Sequence, residues 1–166
     1  MKAPSISFLI IAVTLAAACG FAHAQGTIKP SSGKALCSAL TPEDFTKAGV
    51  AVSALRQANL DGSDGAYCVY DSKAGAVEFD IFFPAGGSAA EVKATEKTVL
   101  GEMGVTMQAI PLPGADAAHI SLPTAKTASI VVRAGTSVFD INIPSSPNSR
   151  QQLLALARLV LSRKAP

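Results

Sequence analysis

Two cysteines, Cys37 and Cys68, constrain the fold of this chain more than any other feature of its sequence. Between them lie a helix-start pattern, a polar turn and the beginning of an apolar run. An even pair of cysteines in an exported chain is most simply a disulfide. Closing a loop of about thirty residues stabilises a fold by roughly 3 to 4 kcal/mol. The sequence therefore predicts a structural disulfide, provided that the chain is exported.

The N-terminal segment predicts export. It carries a single Lys2, then an apolar run, and then the small-x-small tripeptide Ala22-His23-Ala24, which is the pattern of a secretory signal peptide. We expect residues 1–24 to be removed by cleavage between Ala24 and Gln25. The apolar run is much shorter than the ~20 residues that span a bilayer, and we expect no transmembrane segment in the mature chain.

Cys19 offers an alternative to that cleavage. Bacterial lipoproteins are cut just before a cysteine that then carries lipid, and Cys19 follows three alanines. The usual signal has Leu three residues before the cysteine, whereas Ala16 occupies that place here and Leu15 lies one residue further back. The expected location is therefore periplasmic or secreted, and the alternative is a lipid anchor at Cys19.

Removal of 24 of the 166 residues leaves 142, which suits one compact domain. Residues 25–34 are small and polar and predict a flexible leader, and residues 35–166 predict a single α+β domain. The mature chain has 13 basic and 12 acidic side chains, and the basic ones are spread along it. This balance argues against nucleic acid or an anionic membrane as a partner.

Helix-capping patterns predict three helices. Thr41 can cap a short helix that starts at Pro42 and ends near Gly49. Ser88 and Glu91 have the spacing of a capping box, and the helix that follows, to about residue 103, should bury an apolar stripe and expose its charged residues. That stripe comprises Val92, Thr95, Val99, Leu100 and Met103; the residues expected on the exposed face are Glu91, Lys93, Glu96 and Lys97. The last helix should cover about residues 150–163.

Alternating apolar residues predict two β-hairpins, 66–71 with 76–83 and 127–133 with 137–143. Segments 105–110 and 117–122 predict further strands, and 50–59 favours either irregular structure or a short extra strand. The predicted fold is α+β: an antiparallel sheet of about five strands, including the two hairpins, with three helices packed on one face and one disulfide.

The sequence predicts no metal site and no cofactor. The mature chain has one histidine, His119, and no Cys-x-x-Cys motif, whereas protein metal sites need more ligands. Residues 61–65, Asp-Gly-Ser-Asp-Gly, lack the third acidic ligand and the closing glutamate of a calcium loop and predict a tight turn. A phosphate-binding glycine loop is also missing from the sequence.

The less apolar faces of the hairpins carry the candidate site. Asp80 and Asp140 each lie in the middle of a predicted strand. If both hairpins belong to one sheet, these acids share a face with Glu78, Asn142 and Arg133. Three interpretations of such a face are open. It binds a partner, it is a solvated surface, or it supports acid–base chemistry if a pocket shifts the pKa values of the two acids apart.

Four short motifs follow one another along the chain. They are Cys37-Ser38-Ala39-Leu40-Thr41-Pro42-Glu43-Asp44, Gly65-Ala66-Tyr67-Cys68-Val69-Tyr70, Pro113-Gly114-Ala115-Asp116-Ala117-Ala118 and Val131-Val132-Arg133-Ala134-Gly135-Thr136, followed by a Leu/Ala-rich terminal helix. In these the chain resembles a broad group of small exported bacterial proteins and lipoproteins of unknown function. The resemblance implies bridged cysteines and an extracytoplasmic location, and it implies no activity.

We predict no catalytic residues. The expected function is a non-enzymatic binding or accessory module of the cell envelope, whose partner is an envelope component, a small ligand or a protein. The alternative is a small extracytoplasmic hydrolase that uses the sheet-face carboxylates or His119, although the Gly-x-Ser-x-Gly motif of many hydrolases is not in the sequence.

Overall fold

The structure of the chain, a computed structural model, describes residues 33–60, 65–84, 86–121 and 126–163. Three predictions lie outside these residues: the signal peptide with its cleavage site at Ala24 and Gln25, the alternative lipidation site Cys19, and residues 61–64 of the predicted turn at 61–65. Gly65, the last residue of that turn, begins a strand. The predicted leader lies outside the described residues except for residues 33 and 34, which begin the first helix.

The described strands form one antiparallel sheet. They are β1 (Ala54–Leu60), β2 (Gly65–Asp71), β3 (Val77–Phe82), β4 (Met107–Ala109), β5 (Ala117–Ser121), β6 (Thr127–Ala134) and β7 (Ser137–Pro144). Their order across the sheet is β1-β2-β3-β7-β6-β5-β4, so that the two predicted hairpins meet where β3 pairs with β7. The helices in the described residues are α1 (Gly33–Cys37), α2 (Pro42–Lys47), α3 (Ala89–Glu102) and α4 (Ser149–Arg163).

The mixed α+β class is confirmed, but the prediction of about five strands is wrong, because the described sheet has seven. The two edge strands explain the difference. β1 pairs with β2 alone and has mostly exposed side chains, and β4 has only three residues. A strand with little buried surface lacks the apolar alternation from which strands are predicted. The short helix α1 was also not predicted.

One face of the sheet carries the main core. Phe79 and Ile81 of β3 and Phe139 and Ile141 of β7 are buried there, under α1, α2 and α4. Leu153, Leu156, Ala157 and Val160 of α4 complete this layer. The alternation predicted for β3 and β7 is therefore confirmed on the core side.

The predicted disulfide is confirmed. Cys37, the last residue of α1, is bonded to Cys68 in β2, with a Cα–Cα distance of 5.6 Å. Both cysteines are buried in the main core. The Tyr70 hydroxyl reinforces this junction by donating hydrogen bonds to the carbonyl oxygens of Cys37 (3.1 Å) and Leu40 (2.6 Å).

The two predicted N-cap residues, Thr41 and Ser88, are confirmed. Thr41 and Asp44 form a capping box at α2, and Ser88 and Glu91 form one at α3. Asp44 also accepts two hydrogen bonds from Arg163 at the end of α4, with N–O distances of 2.6 and 2.8 Å. These hydrogen bonds hold the pKa of Asp44 well below its usual range, and they join the last helix to the start of α2.

The prediction that the helices cover one face is wrong, because α3 packs on the other face. Val92 and Val99 of α3 contact Val131 of β6 and Val138 of β7, and these four buried valines form a small second core. Successive residues of β6 and β7 are buried, which is the pattern of strands covered on both faces. No helix in the described parts of the chain is long and apolar enough to cross a membrane.

Candidate functional site

Four of the five predicted face residues lie together in the middle of the sheet. In the register of β3 with β7, Glu78 lies opposite Asn142 and Asp80 lies opposite Asp140. Directly opposed residues have Cβ atoms about 5 Å apart. We call Glu78, Asp80, Asp140 and Asn142 the acidic row. The row lies on the same face as α3, since the neighbouring residues of β3 and β7 point into the main core.

Hydrogen bonds connect the acidic row to the strands beside it. Tyr67 of β2 donates from its hydroxyl to Glu78 Oε1 at 3.0 Å, and burial together with this bond raises the pKa of Tyr67. Asn142 Nδ2 donates to Asp140 Oδ2 at 2.8 Å, and the Ser129 hydroxyl of β6 donates to Asn142 Oδ1. Glu78, Asp140 and Asn142 are thus held in place by hydrogen bonds from β2, β6 and β7.

Tyr67 and Ser129 were not predicted. The signal for Tyr67 is present in the sequence, because it alternates with the buried Ala66 and Cys68 and so belongs to the polar face of β2. Its position opposite Asp80 requires the register of β2 with β3. Ser129 lies opposite Asn142 only through the register of β6 with β7.

Asp140 is the most buried member of the row, with 2% of its surface exposed. Burial raises the pKa of Asp140 to about 7; the hydrogen bond from Asn142 opposes this rise, and the charges of Glu78 and Glu102 add to it. Two opposed carboxylates repel each other, and a proton on one of them relieves the repulsion. The carboxyl group can therefore hold a proton near neutral pH, but its burial keeps it out of reach of a bound substrate.

Arg133, the fifth predicted residue, lies on the same face but not in the acidic row. It is opposite Val138 in the register, and its Nε donates to Glu96 Oε2 of α3 at 2.8 Å. Asp116 is a second partner, with its Oδ2 at 3.8 Å from Arg133 Nη1. The guanidinium group therefore neutralises acids under and beside α3 rather than the row.

His119 belongs to the same ionic group as Arg133. Its Nε2 lies 3.1 Å from Glu96 Oε1, so that Glu96 binds His119 of β5 and Arg133 of β6 with its two oxygens. We call Glu96, His119, Arg133 and Asp116 the Glu96 cluster. The serine nearest along β5, Ser121, uses its hydroxyl to accept from the backbone amide of Ser129. The described partner of the His119 ring is thus an acid that fastens α3, and the two side chains are within hydrogen-bonding distance.

The predicted exposure of Glu96 is wrong, because only 6% of its surface is exposed. Val92, Glu96 and Val99 follow one another at helical spacing and face the sheet together. The spacing was visible in the sequence, but a charged residue was assigned to the outside. Burial of Glu96 is tolerated because both of its oxygens are paired with cationic or hydrogen-bonding groups of the sheet.

A search of the described residues for groups of three or more His, Cys, Asp or Glu side chains that could hold a metal ion finds none. The acidic row and the Glu96 cluster are therefore best treated as hydrogen-bonded and ion-paired surfaces. Neither arrangement, as described, provides a metal centre.

The chain matches no family model, and no curated protein or solved structure is significantly similar to it. The resemblance to small exported bacterial proteins stays a prediction. Function is argued below from the geometry of the chain itself.

Replacing Glu96 with glutamine is expected to lower the free energy of unfolding by about 2 kcal/mol, because Arg133 and His119 lose a paired, buried carboxylate. Urea denaturation at pH 5.5 measures the difference. Glu102→Gln, the same change at an exposed position of α3, is the matched control and should stay within about 0.5 kcal/mol of the parent chain. Equal stability of the two variants would contradict the role given to Glu96.

Proposed function

We propose that the protein is an exported, non-enzymatic binding module of the bacterial cell envelope, and that its partner contacts the acidic row. The partner is an envelope component, a small ligand or a protein, and its contacting group is cationic. The single observation that carries the proposal is the register of β3 with β7, which sets Glu78, Asp80 and Asn142 side by side, half-buried, beside α3.

The rigidity of the row supports recognition. Its side chains project from two central strands, and hydrogen bonds from Tyr67 and Ser129 limit the rotamers of Glu78 and Asn142. A group that is held in its binding conformation loses little entropy when the partner binds. Two acids that keep part of their surface in solvent attract a cation before contact is made.

The burial of Asp140 and the contact of His119 with Glu96 argue for binding over catalysis. Asp140 has a pKa of about 7 but is 2% exposed, and the His119 ring is paired with Glu96. A general acid or base must come within hydrogen-bonding distance of the group that it protonates or deprotonates. The alternative function, a small extracytoplasmic hydrolase, would need Asp140 to become accessible or the His119 ring to separate from Glu96.

The disulfide supports export, since such bonds persist in oxidising compartments. The N-terminal pattern and the resemblance to small exported proteins point the same way. The proposed location is periplasmic or secreted, with lipid attachment at Cys19 as the alternative.

Affinity capture from envelope extract tests the function. The bait is the protein produced with its own N-terminal segment and a C-terminal tag. We expect it to retain a partner that saturates with increasing extract, and the Glu78→Gln/Asp80→Asn double variant to retain at least tenfold less, because the cationic group loses both acids.

The matched control is Glu43→Gln/Asp71→Asn, which removes two acids that lie away from the row and are largely exposed. This control should bind like the parent chain. Equal recovery by the row variant and the parent, or recovery no greater than that by an unrelated tagged protein, would contradict the proposal. The intact mass of the bait shows whether it begins at Gln25 or carries lipid on Cys19.

A further inference from the structure

Asp140 lies at the boundary between the covered and uncovered parts of the α3 face. Two residues before it on β7, Val138 packs against α3; two residues after it, Asn142 belongs to the acidic row. On the two neighbouring strands, Asp140 pairs with Val131 of β6, which α3 also contacts, and with Asp80 of β3. Its buried carboxyl group is therefore next to the contact between α3 and the sheet.

The charged groups that face Asp140 are mainly acids. β3 contributes Glu78 and Asp80, α3 contributes Glu102, and Tyr67 of β2 is already bonded to Glu78. The basic side chains described on this face include Arg56 of β1, whose charge acts on Tyr67, and His119 of β5 and Arg133 of β6, which both contact Glu96 of α3. An ionised Asp140 would consequently be a buried anion among anions, with Asn142 as its hydrogen-bond donor.

The attachment of α3 is limited in extent. Its apolar contact is a small core of four buried valines with Phe82, Leu100, Met103 and Met107 packed against them, and the Glu96 cluster adds an ionic contact; α4, in contrast, is part of the main core. Glycines with left-handed backbone flank it, Gly87 with φ 60° and Gly104 with φ 62°. An element with few buried apolar contacts opens at a lower free energy than the core does.

We propose that the protonation of Asp140 controls how firmly α3 is seated on the sheet: the neutral acid keeps the helix docked on β6 and β7, and the ionised acid loosens it. The physical cause is hydration. A buried carboxylate regains water only when the group that covers it moves away, and α3 is the covering element that is held by the smaller core. This inference does not depend on the proposed binding function.

The size of the effect follows from linkage. Asp140 has a pKa of about 7 when α3 is seated, and a hydrated aspartate has a pKa of about 4. Because the seated state then binds more protons, the equilibrium constant for loosening should rise about tenfold between pH 6 and pH 8. At pH 5 the helix should stay fully docked.

Hydrogen exchange at pH 6 and pH 8 tests the proposal on the whole protein with its disulfide intact. The measurement compares amide protection factors in α3 and α4 after correction for the intrinsic dependence of exchange on pH. We expect protection in α3 to fall about tenfold between the two values, while α4 protection changes by less than about threefold. Asp140→Asn should remove the fall in α3.

Asp71→Asn, the same substitution at a half-exposed position of β2, is the matched control and should exchange like the parent chain. Constant protection of α3 in the parent, an equal fall in α3 and α4, or a fall that persists in Asp140→Asn would each overturn the proposal. If the Asp140 variant does not fold, a His119→Gln variant decides, because Glu96 of α3 also contacts His119: a fall in α3 protection that remains in this variant supports the proposal, and one that disappears overturns it.

Discussion

Replacing both Cys37 and Cys68 with serine is expected to lower the free energy of unfolding by about 3 to 4 kcal/mol. The bridge closes a loop with a sequence separation of 31, and its loss gives the unfolded chain more conformations. The same change leaves two buried hydroxyl groups in the main core, where both cysteines now lie. A loss of this size is a large fraction of the stability of an ordinary domain.

Urea denaturation of the parent and the double variant, each with and without a reducing agent, measures the effect. Reduction should bring the parent close to the variant and should leave the variant unchanged. Tyr70→Phe serves as a matched control at the same junction, because it removes the hydrogen bonds to the Cys37 and Leu40 carbonyl oxygens and keeps the bridge. A double variant as stable as the parent would show that the bridge does not stabilise the fold.

The stability of the parent chain is expected to fall by about 2.5 kcal/mol between pH 5 and pH 8 because of Asp140 alone. Burial raises the pKa of this acid to about 7 in the folded protein, whereas it is about 4 in the unfolded chain. Between these values the folded state binds more protons than the unfolded state, so the contribution is present at low pH and is lost as pH rises through about 7. Each pH unit within that interval costs up to about 1.4 kcal/mol.

Asp140→Asn isolates this effect. An amide has no proton to lose in this range, and its oxygen can still accept from Asn142 Nδ2. The difference in unfolding free energy between variant and parent should therefore change by about 2.5 kcal/mol in favour of the variant from pH 5 to pH 8. Asp71→Asn, at a half-exposed position, should show a difference that is nearly independent of pH. A difference for Asp140→Asn that is equally flat would mean that Asp140 ionises normally in the folded protein.

Asp44 affects stability in the opposite direction and at lower pH. Hydrogen bonds from Arg163 hold its pKa below the usual range, so its contribution is present above the unfolded pKa near 4 and is lost as pH falls further. Asp44 and Asp140 therefore act in separate pH windows. The contact between α2 and α4 therefore contributes little to the change measured between pH 5 and pH 8, and the comparison with Asp140→Asn separates the part that Asp140 causes.

The row and the cluster illustrate different limits of sequence interpretation. Glu78, Asp80, Asp140 and Asn142 were predicted to share a face because each alternates with apolar neighbours on its own strand. Arg133 was assigned to the same group by the same rule. Its distance from the row depends on its pairing with Val138 at the far end of β6 and β7, and on Glu96, which draws its guanidinium group towards α3.

The sequence by itself determined the features that depend on neighbours along the chain: the Thr41 cap of α2, the capping box of α3, the two hairpins and the core-facing residues of β3 and β7. A pair of cysteines in an apparently exported chain was enough to predict their bond. These features follow from local hydrogen bonds, from alternation and from simple chemistry.

Only the tertiary structure decided that β3 lies beside β7, that α3 covers the opposite face of the sheet, and that Glu96 and Asp140 are buried there. Strand order and helix docking join residues that are far apart in the chain. The protonation of Asp140 depends on how much water the docked elements exclude, and a local pattern contains no information about that exclusion. Alternation along each strand therefore predicts which residues form the acidic row. The protonation of Asp140 within the row is decided by burial, which the sequence does not show.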